Sequence, residues 1–165
     1  MLPIQNILHP TDFSEHSENA FNVACSLAQG YGARLILLHV LERPVLAYGG
    51  VMTPPPPGAE ERVSARKHLQ QIKPSHPALA VDRLLEEGDP AATIMQVARE
   101  RNCDLIVIGS HGRTGLSRLL MGSVAETVLR KASCPVLTVK SPQQLALSGQ
   151  PASAEADCGN ELRSP

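Results

Sequence analysis

From Asp104 to Lys140 the chain reads DLIVIGSHGRTGLSRLLMGSVAETVLRKASCPVLTVK, and the order of its pieces decides the fold. Leu105 to Ile108 is an unbroken apolar run, short enough for a buried strand, and it stops at Gly109. Gly109-Ser110-His111-Gly112 sets two glycines three apart where the backbone has to turn, so main-chain amides approach an anion with no Cβ in the way. Arg113 and Arg118 make the rest of the loop basic; they either neutralise phosphate charge or are solvated loop residues. After nine intervening residues, Gly122-Ser123 opens a segment in which Ala125, Val128, Leu129 and Ala132 fall on one helical face. Pro135 to Val139 follows as a further strand.

The start of that helix has two readings. Ser123-Val124-Ala125-Glu126 fits a capping box, in which the serine oxygen accepts the N3 amide and the glutamate reaches back to the cap amide. Alternatively the amides and the positive dipole end hold an anion, worth about 0.3–1 kcal/mol per exposed charge. The two are partly compatible, because a serine oxygen that accepts from the backbone still donates its own proton. Glu126 would compete with phosphate for the cap amide.

Upstream, Ile4 to His9 reads as a first strand ended by Pro10, with Asp12 at its C-terminal tip either as a turn residue or as a ligand group. Ser14 caps the next helix, with Glu15 and Glu18 in its first turn. Ala20, Phe21, Val23, Ala24, Leu27 and Ala28 form its buried stripe, and Gly30 or Gly32 stops it. Arg34 to Val40 is a second buried strand. Glu42 to Gly58, with Gly49-Gly50 and four successive prolines from Pro54 to Pro57, is a surface loop. Ala59 to Lys73 is a surface helix with a thin stripe of Val63, Leu69 and Ile72. Leu79 to Glu86 is a third, partly polar strand suited to a sheet edge. Asp89-Pro90 starts another helix, whose inner face is Ile94, Val97 and Ala98. Strands and helices thus alternate throughout, which predicts an α/β domain with a parallel sheet, helices on both faces and right-handed crossovers. Ligands in such sheets bind at the C-terminal ends of the strands, where the strand order reverses.

The chain of 165 residues is 42% apolar, enough for one domain, and with 2% aromatics and no Trp its core is aliphatic. A net charge of −1 excludes a global basic footprint for nucleic acid or for a membrane surface, so any anion site is local. Cys25, Cys103, Cys134 and Cys158 show neither C-x-x-C nor metal-ligand spacing, which fits a reduced cytoplasm. The six histidines include no helical pair with metal-ligand spacing, so satisfied or solvent-facing rings are expected, His111 inside the glycine loop excepted. No basic segment followed by an apolar run opens the sequence, and no apolar stretch reaches membrane-spanning length, so the expectation is a soluble, unsecreted protein without a membrane span. Residues 141–165 are rich in Ser, Pro, Gly, Gln and Ala and read as a disordered tail after a domain at 1–140.

The glycine loop is not a Walker A motif, because no Gly-Lys-Ser/Thr closes it, nor is it a first-strand dinucleotide fingerprint. A nucleic-acid clamp of the G-x-x-G kind is disfavoured by the preceding buried strand, the near-neutral charge and the scarcity of aromatics. Gly109-x-x-Gly112, nine residues and Gly122-Ser123, then the strand Pro135-Val136-Leu137-Thr138-Val139, together with Pro10-Thr11-Asp12-Phe13-Ser14 near the start, resemble the ATP-binding signature of the universal stress protein family. The resemblance spans Ile4 to Lys140. It implies a three-layer α/β/α, Rossmann-like fold of the adenine nucleotide alpha hydrolase-like kind, with a five-stranded parallel sheet in the order 3-2-1-4-5.

By the same resemblance the ligand is ATP, with Mg or Mn. The implied site is Pro10, Thr11, Asp12, Val40, Ile108, Gly109, Ser110, His111, Gly112, Arg113, Gly122, Ser123 and Val124, with adenosine near Asp12 and the backbone of Val40 facing adenine. It further implies a homodimer whose strands Pro135–Lys140 pair antiparallel, and a cytoplasmic sensor or regulatory module that acts on another protein. No nucleophile, general base and orienting group form one constellation, so hydrolysis is not what the residues advertise. Two alternatives remain open at this point. Members of the family without the glycine signature are interaction modules that bind no ATP, and a weak ATPase is the third possibility. Ending the chain near Ser141 is expected to leave the domain folded; comparable melting temperatures of the full and shortened chains check this, and a cooperative loss of structure would show that the tail packs on the domain.

Overall fold

The computed structural model describes residues 4–42, 58–111 and 121–140. Its strands are β1 (Asn6–Pro10), β2 (Arg34–Glu42), β3 (Val81–Gly88), β4 (Leu105–Gly109) and β5 (Val136–Val139). They form one parallel sheet ordered β3-β2-β1-β4-β5, the order expected. The connecting helices are α1 (Glu15–Tyr31), α2 (Ala59–Gln71), α3 (Pro90–Glu100) and α4 (Ser123–Lys131). The Glu42–Gly58 loop, all but its two end residues, and the tail expected beyond Lys140 lie outside the described residues.

A parallel sheet covered on both faces needs strands that are apolar on both sides, and β2 is buried from Leu35 to Leu41. Its side chains alternate. Leu35 and Leu37 join Ile7, Val107, Phe21, Ala24 and Leu69 under α1 and α2. Ile36, Leu38 and Val40 join Leu8, Ile106, Ile94 and Val128 under α3 and α4. Each such fully buried Leu or Ile contributes about 1.5–3 kcal/mol relative to exposure, so β2 supplies both halves of the core.

The helix ends follow the local chemistry. Ser14 Oγ accepts from Ser17 N–H at 3.3 Å, and Gly32, at φ 66°, closes α1 by donating to Ala28 O and Gln29 O. Asp89 Oδ1 accepts from Ala92 N–H at 2.8 Å with Pro90 beginning α3. Arg83 of β3 reaches the end of α2, donating from Nε to Leu69 O at 2.9 Å and from Nη2 to Ile72 O at 2.7 Å.

Three expectations change. Ser123 is the first residue of α4 rather than its cap; Gly122 is the cap, and no described side chain caps the helix. Glu126 pairs instead with Arg130 one turn on, at 3.1 Å, so the capping box does not form. Val63 is 67% exposed, and α2 buries Ala65 and Leu69, because a helix lying on a sheet edge turns only a narrow arc inward. Leu129 is 47% exposed, since Ala125 and Val128 already fill the contact of the short α4.

The pairing of β1 breaks down at its C-terminal end in an orderly way. Backbone groups of Gln5 and Thr11 face β2, bonding Arg34 N–H at 2.7 Å and Leu38 O at 2.8 Å, so the even-numbered residues of β1 face β4. The β1–β4 register runs through Ile7↔Leu105 and Leu8↔Ile106. The next donor owed to Val107 O is the N–H of residue 10, which proline lacks. His9 supplies it: Nδ1 lies 2.8 Å from Val107 O, and because a carbonyl only accepts, Nδ1 carries the proton. On the other side His39 Nδ1 donates to Thr11 O at 2.7 Å, the place that Val40 N–H would take in a continued ladder.

His9 is fully buried, its ring tilted against that of Phe21 at 5.6 Å between centroids. Burial lowers its pKa from 6.5 to about 4, against the opposing pull of the Val107 bond and the charge of Asp12. The unfolded chain therefore binds a proton that the folded chain refuses. Stability from the neutral ring is full above pH 6.5 and falls as pH drops to about 4, a loss of about 3 kcal/mol. Denaturant titrations across that window are expected to show this slope in the wild type. They should show a shallower one in His9→Asn, whose amide keeps a donor for Val107 O and cannot titrate; an unchanged slope would reassign the acid sensitivity to other groups.

Candidate functional site

The strands β1 and β4, neighbours in space on either side of the order reversal, end together, and the residues singled out from sequence gather at those ends. Pro10 and Thr11 are buried at the tip of β1. Thr11 Oγ1 accepts from Phe13 N–H at 3.1 Å and from Ser17 Oγ–H at 2.9 Å. Ser17 Oγ also lies 3.4 Å from His9 Nε2. Asp12 Oδ1 accepts from Ser14 N–H at 3.1 Å and Ser14 Oγ–H at 2.6 Å, so the turn role expected of this aspartate is real. Between them Phe13 adopts φ 65°, a left-handed conformation costing about 1–2 kcal/mol for a residue with a Cβ. Its ring lies 4.2 Å from that of His39 and 5.4 Å from that of His68, contacts that offset the strain and hold the turn.

Val40 belongs to the same opening. Arg34 and Leu38 bond β1 through their backbones, so by alternation Val40 directs its N–H and C=O to that side too, beyond the point where β1 has turned away. Its side chain is buried under α3 and α4, leaving the backbone as the chemically useful part.

At the end of β4, Ile108 and Ser110 are buried and Gly109 is pressed between two segments. A Cβ on Gly109 would stand 3.1 Å from His16 O and 3.2 Å from His111 O. A side chain there needs the first turn of α1 or the loop to give by a few tenths of an ångström, a reason for glycine different from the ease of turning read in the sequence. Ser110 joins the two halves of the glycine signature. Its N–H donates to Val139 O at 2.9 Å, and its carbonyl accepts Gly122 N–H at 2.9 Å. Ser110 Oγ also lies 3.1 Å from His111 Nδ1, and the ring of His111 stands 5.9 Å from that of His16 on α1.

Gly122, at φ −60° and ψ 143°, uses its carbonyl for the first helical bond, from Glu126 N–H at 2.9 Å. Of the four amides that a helix start leaves without an intrahelical partner, one is taken by Ser110; those of Ser123, Val124 and Ala125 are capped by no described side chain. The structure thus ties Ser110, between Gly109 and His111, to Gly122 at the start of α4, with Asp12 and Val40 at the ends of the neighbouring strands. Gly112, Arg113 and Arg118 lie outside the described residues. Sequence reasoning missed Phe13, Ser17, His9 and His39 as supports of the site; the two histidines stand inside apolar strand runs, a signal that they are buried. Among the described residues no group of three or more His, Cys, Asp or Glu is placed to hold a metal ion, and no helix is long and apolar enough to cross a membrane.

This geometry has relatives. A universal stress protein of Methanocaldococcus jannaschii is 35% identical over 148 residues, covering 85% of this chain and 84% of the relative. One from Thermus aquaticus is 36% identical over 141 residues, covering 82% and 98%. Among solved structures, the universal stress protein UspA from Lactobacillus plantarum superposes with a TM-score of 0.67 at 27% identity, over 84% of this chain and 99% of that one. A universal stress protein from Archaeoglobus fulgidus in complex with dAMP does so with a TM-score of 0.58 at 25% identity, over 85% and 100%. The model of the universal stress protein family matches residues 3–140, and the chain belongs to that family.

Proposed function

We propose that this chain is an ATP-binding member of the family, a cytoplasmic sensor or regulatory module whose occupancy alters its contacts with a protein partner. The observation that carries the reading is the bond from Gly122 N–H to Ser110 O, which sets the uncapped amides of α4 beside the glycine loop. Three adjacent amides at a positive dipole end match a phosphate chain. Gly112, Ile108, His111 and Arg113 complete the loop side, and Pro10, Thr11, Asp12 and the Val40 backbone face ribose and adenine. The dAMP complex of the Archaeoglobus relative supports an adenine nucleotide as the class of ligand. Mg or Mn, when bound, would neutralise phosphate charge.

Calorimetric titration of ATP tests this. Gly122→Val puts a branched side chain where the amides of α4 meet the anion, and it should lower affinity at least tenfold, about 1.4 kcal/mol. The backbone angles of Gly122 suit any residue, so the melting temperature should change far less. Ser123→Ala removes one hydroxyl and leaves the amides, so it should cost less than Gly122→Val. Equal binding by Gly122→Val, or no binding by the wild type with magnesium or manganese present, would replace this reading by that of an interaction module without nucleotide.

The partner reading begins with a second copy of the chain. β5 ends the sheet, with Leu137 38% exposed beside partly buried Val136 and Val139. Strand 135–140 offers its outer backbone edge to the same strand of another copy. Sedimentation at micromolar concentration should give a dimer, and Leu137→Lys should shift it to monomer; an unchanged oligomer would move the interface elsewhere.

A further inference from the structure

Cys103 and Cys134 stand at the entrances to neighbouring strands, at the end of the sheet opposite Ser110 and Gly122. β4 and β5 pair from Ile106↔Val136 onward, and Ile106 N–H donates to Pro135 O at 3.0 Å, so the segments bearing the two thiols enter side by side. Both thiols are free and both pack on the core cluster under α3 and α4. Both also line one open hollow of about 400 Å³, together with Arg99, Asn102, Asp104 and Ser133. Cys134 is the half-buried one, and Cys103, 7% exposed, lies behind it.

We propose that this pair is a modification site, at which hydrogen peroxide closes an intramolecular Cys103–Cys134 disulfide. The accessible Cys134 thiolate attacks one peroxide oxygen; the O–O bond breaks, a sulfenic acid forms on Cys134 and the departing hydroxide takes a proton to leave as water. Cys103 then attacks that sulfur, the S–S bond forms, the S–O bond breaks and a second water departs. The pair loses two electrons and two protons, and peroxide gains them. Burial raises the pKa of both thiols, that of Cys103 to about 11 with a further push from the charges of Cys134 and Asp104, so thiolate is scarce at neutral pH and the reaction is slow there.

The bond would tie together the two ends of the segment that carries Gly109 to Ser123, and a cross-link across a long loop restricts the unfolded chain. Its effect is thus on persistence of the fold rather than on the chemistry of the site, which lies at the far end of the strands.

The test uses the full chain with Cys158→Ser, treated with hydrogen peroxide at about pH 9 to raise the thiolate fraction, then alkylated, digested and weighed. The expected product is a single-chain linked peptide pair containing Cys103 and Cys134, lighter by two hydrogens. Its formation should come with a melting temperature higher by a few degrees that a dithiol reductant reverses. Cys134→Ser, or Cys134→Ala should serine disturb the packing, removes both. Recovery of Cys103 and Cys134 as separately alkylated thiols or separate sulfinic acids overturns the proposal, and so does a linkage between chains.

Discussion

A missing donor shapes the C-terminal end of this sheet. Pro10 brings no N–H to the side of β1 that faces β4, so Val107 O has no main-chain partner there, and the imidazole of His9 supplies one at 2.8 Å. A buried carbonyl left unpaired costs about 1–3 kcal/mol, so without the ring the two strands would have to close up or admit water. His39 does the equivalent work on the β2 side by taking Thr11 O. Two buried rings thus let β1 leave the sheet on both sides with the carbonyls of Val107 and Thr11 satisfied. The crevice that a reversal of strand order allows is held open by side chains, and this is why both histidines are buried among aliphatic residues.

The rest of the site inherits that opening. Because His39 occupies Thr11 O, the backbone of Val40 faces the gap instead of the ladder. Because β1 turns away, the chain winds through Asp12, Phe13 and Ser14 into α1, whose first turn then comes to rest against Gly109. A Cβ at Gly109 would sit 3.1 Å from His16 O and 3.2 Å from His111 O, so α1 and the loop meet closely at this glycine. Ser110 fixes the other direction by bonding β5 with its N–H and α4 with its carbonyl.

Much of this was legible in the sequence, and the gaps have physical causes. The apolar runs of β1, β2 and β4, the Ser14 and Asp89 caps and the glycine spacing all depend on neighbours within a few residues, so they can be read locally. Pro10 announces the lost donor, but the acceptor that needs it lies in the middle of β4, with His9 and Val107 separated by 98 positions. Ser123 misled because the capping pattern fits equally well one residue later than the true cap; only the tie of Gly122 to Ser110 decides the register. Val63 and Leu129 misled because periodicity names a face without saying how deeply it sinks. The loop residues Gly112 and Arg113 keep their assignment from the motif alone.

Each of the four helices starts at the C-terminal end of the parallel sheet, and those that follow β1 and β4, α1 and α4, bring a positive dipole end to the strand-order reversal. They are not equivalent. The first turn of α1 is closed by its own chain: Ser14 Oγ accepts Ser17 N–H, and the carboxylate of Asp12 accepts both the N–H and the hydroxyl proton of Ser14. A negative charge already sits there, so a phosphate gains little from that helix and is repelled by Asp12. At α4 the cap is a glycine without a side chain, and Glu126, the one acid of its first turn, is turned toward Arg130. On the proposed function, an anion entering the crevice is therefore drawn to Gly122–Val124 and away from Asp12, while the hydroxyl-rich, uncharged part of the same molecule suits the carboxylate. A ligand with phosphate at one end and a ribose at the other satisfies both halves in only one orientation.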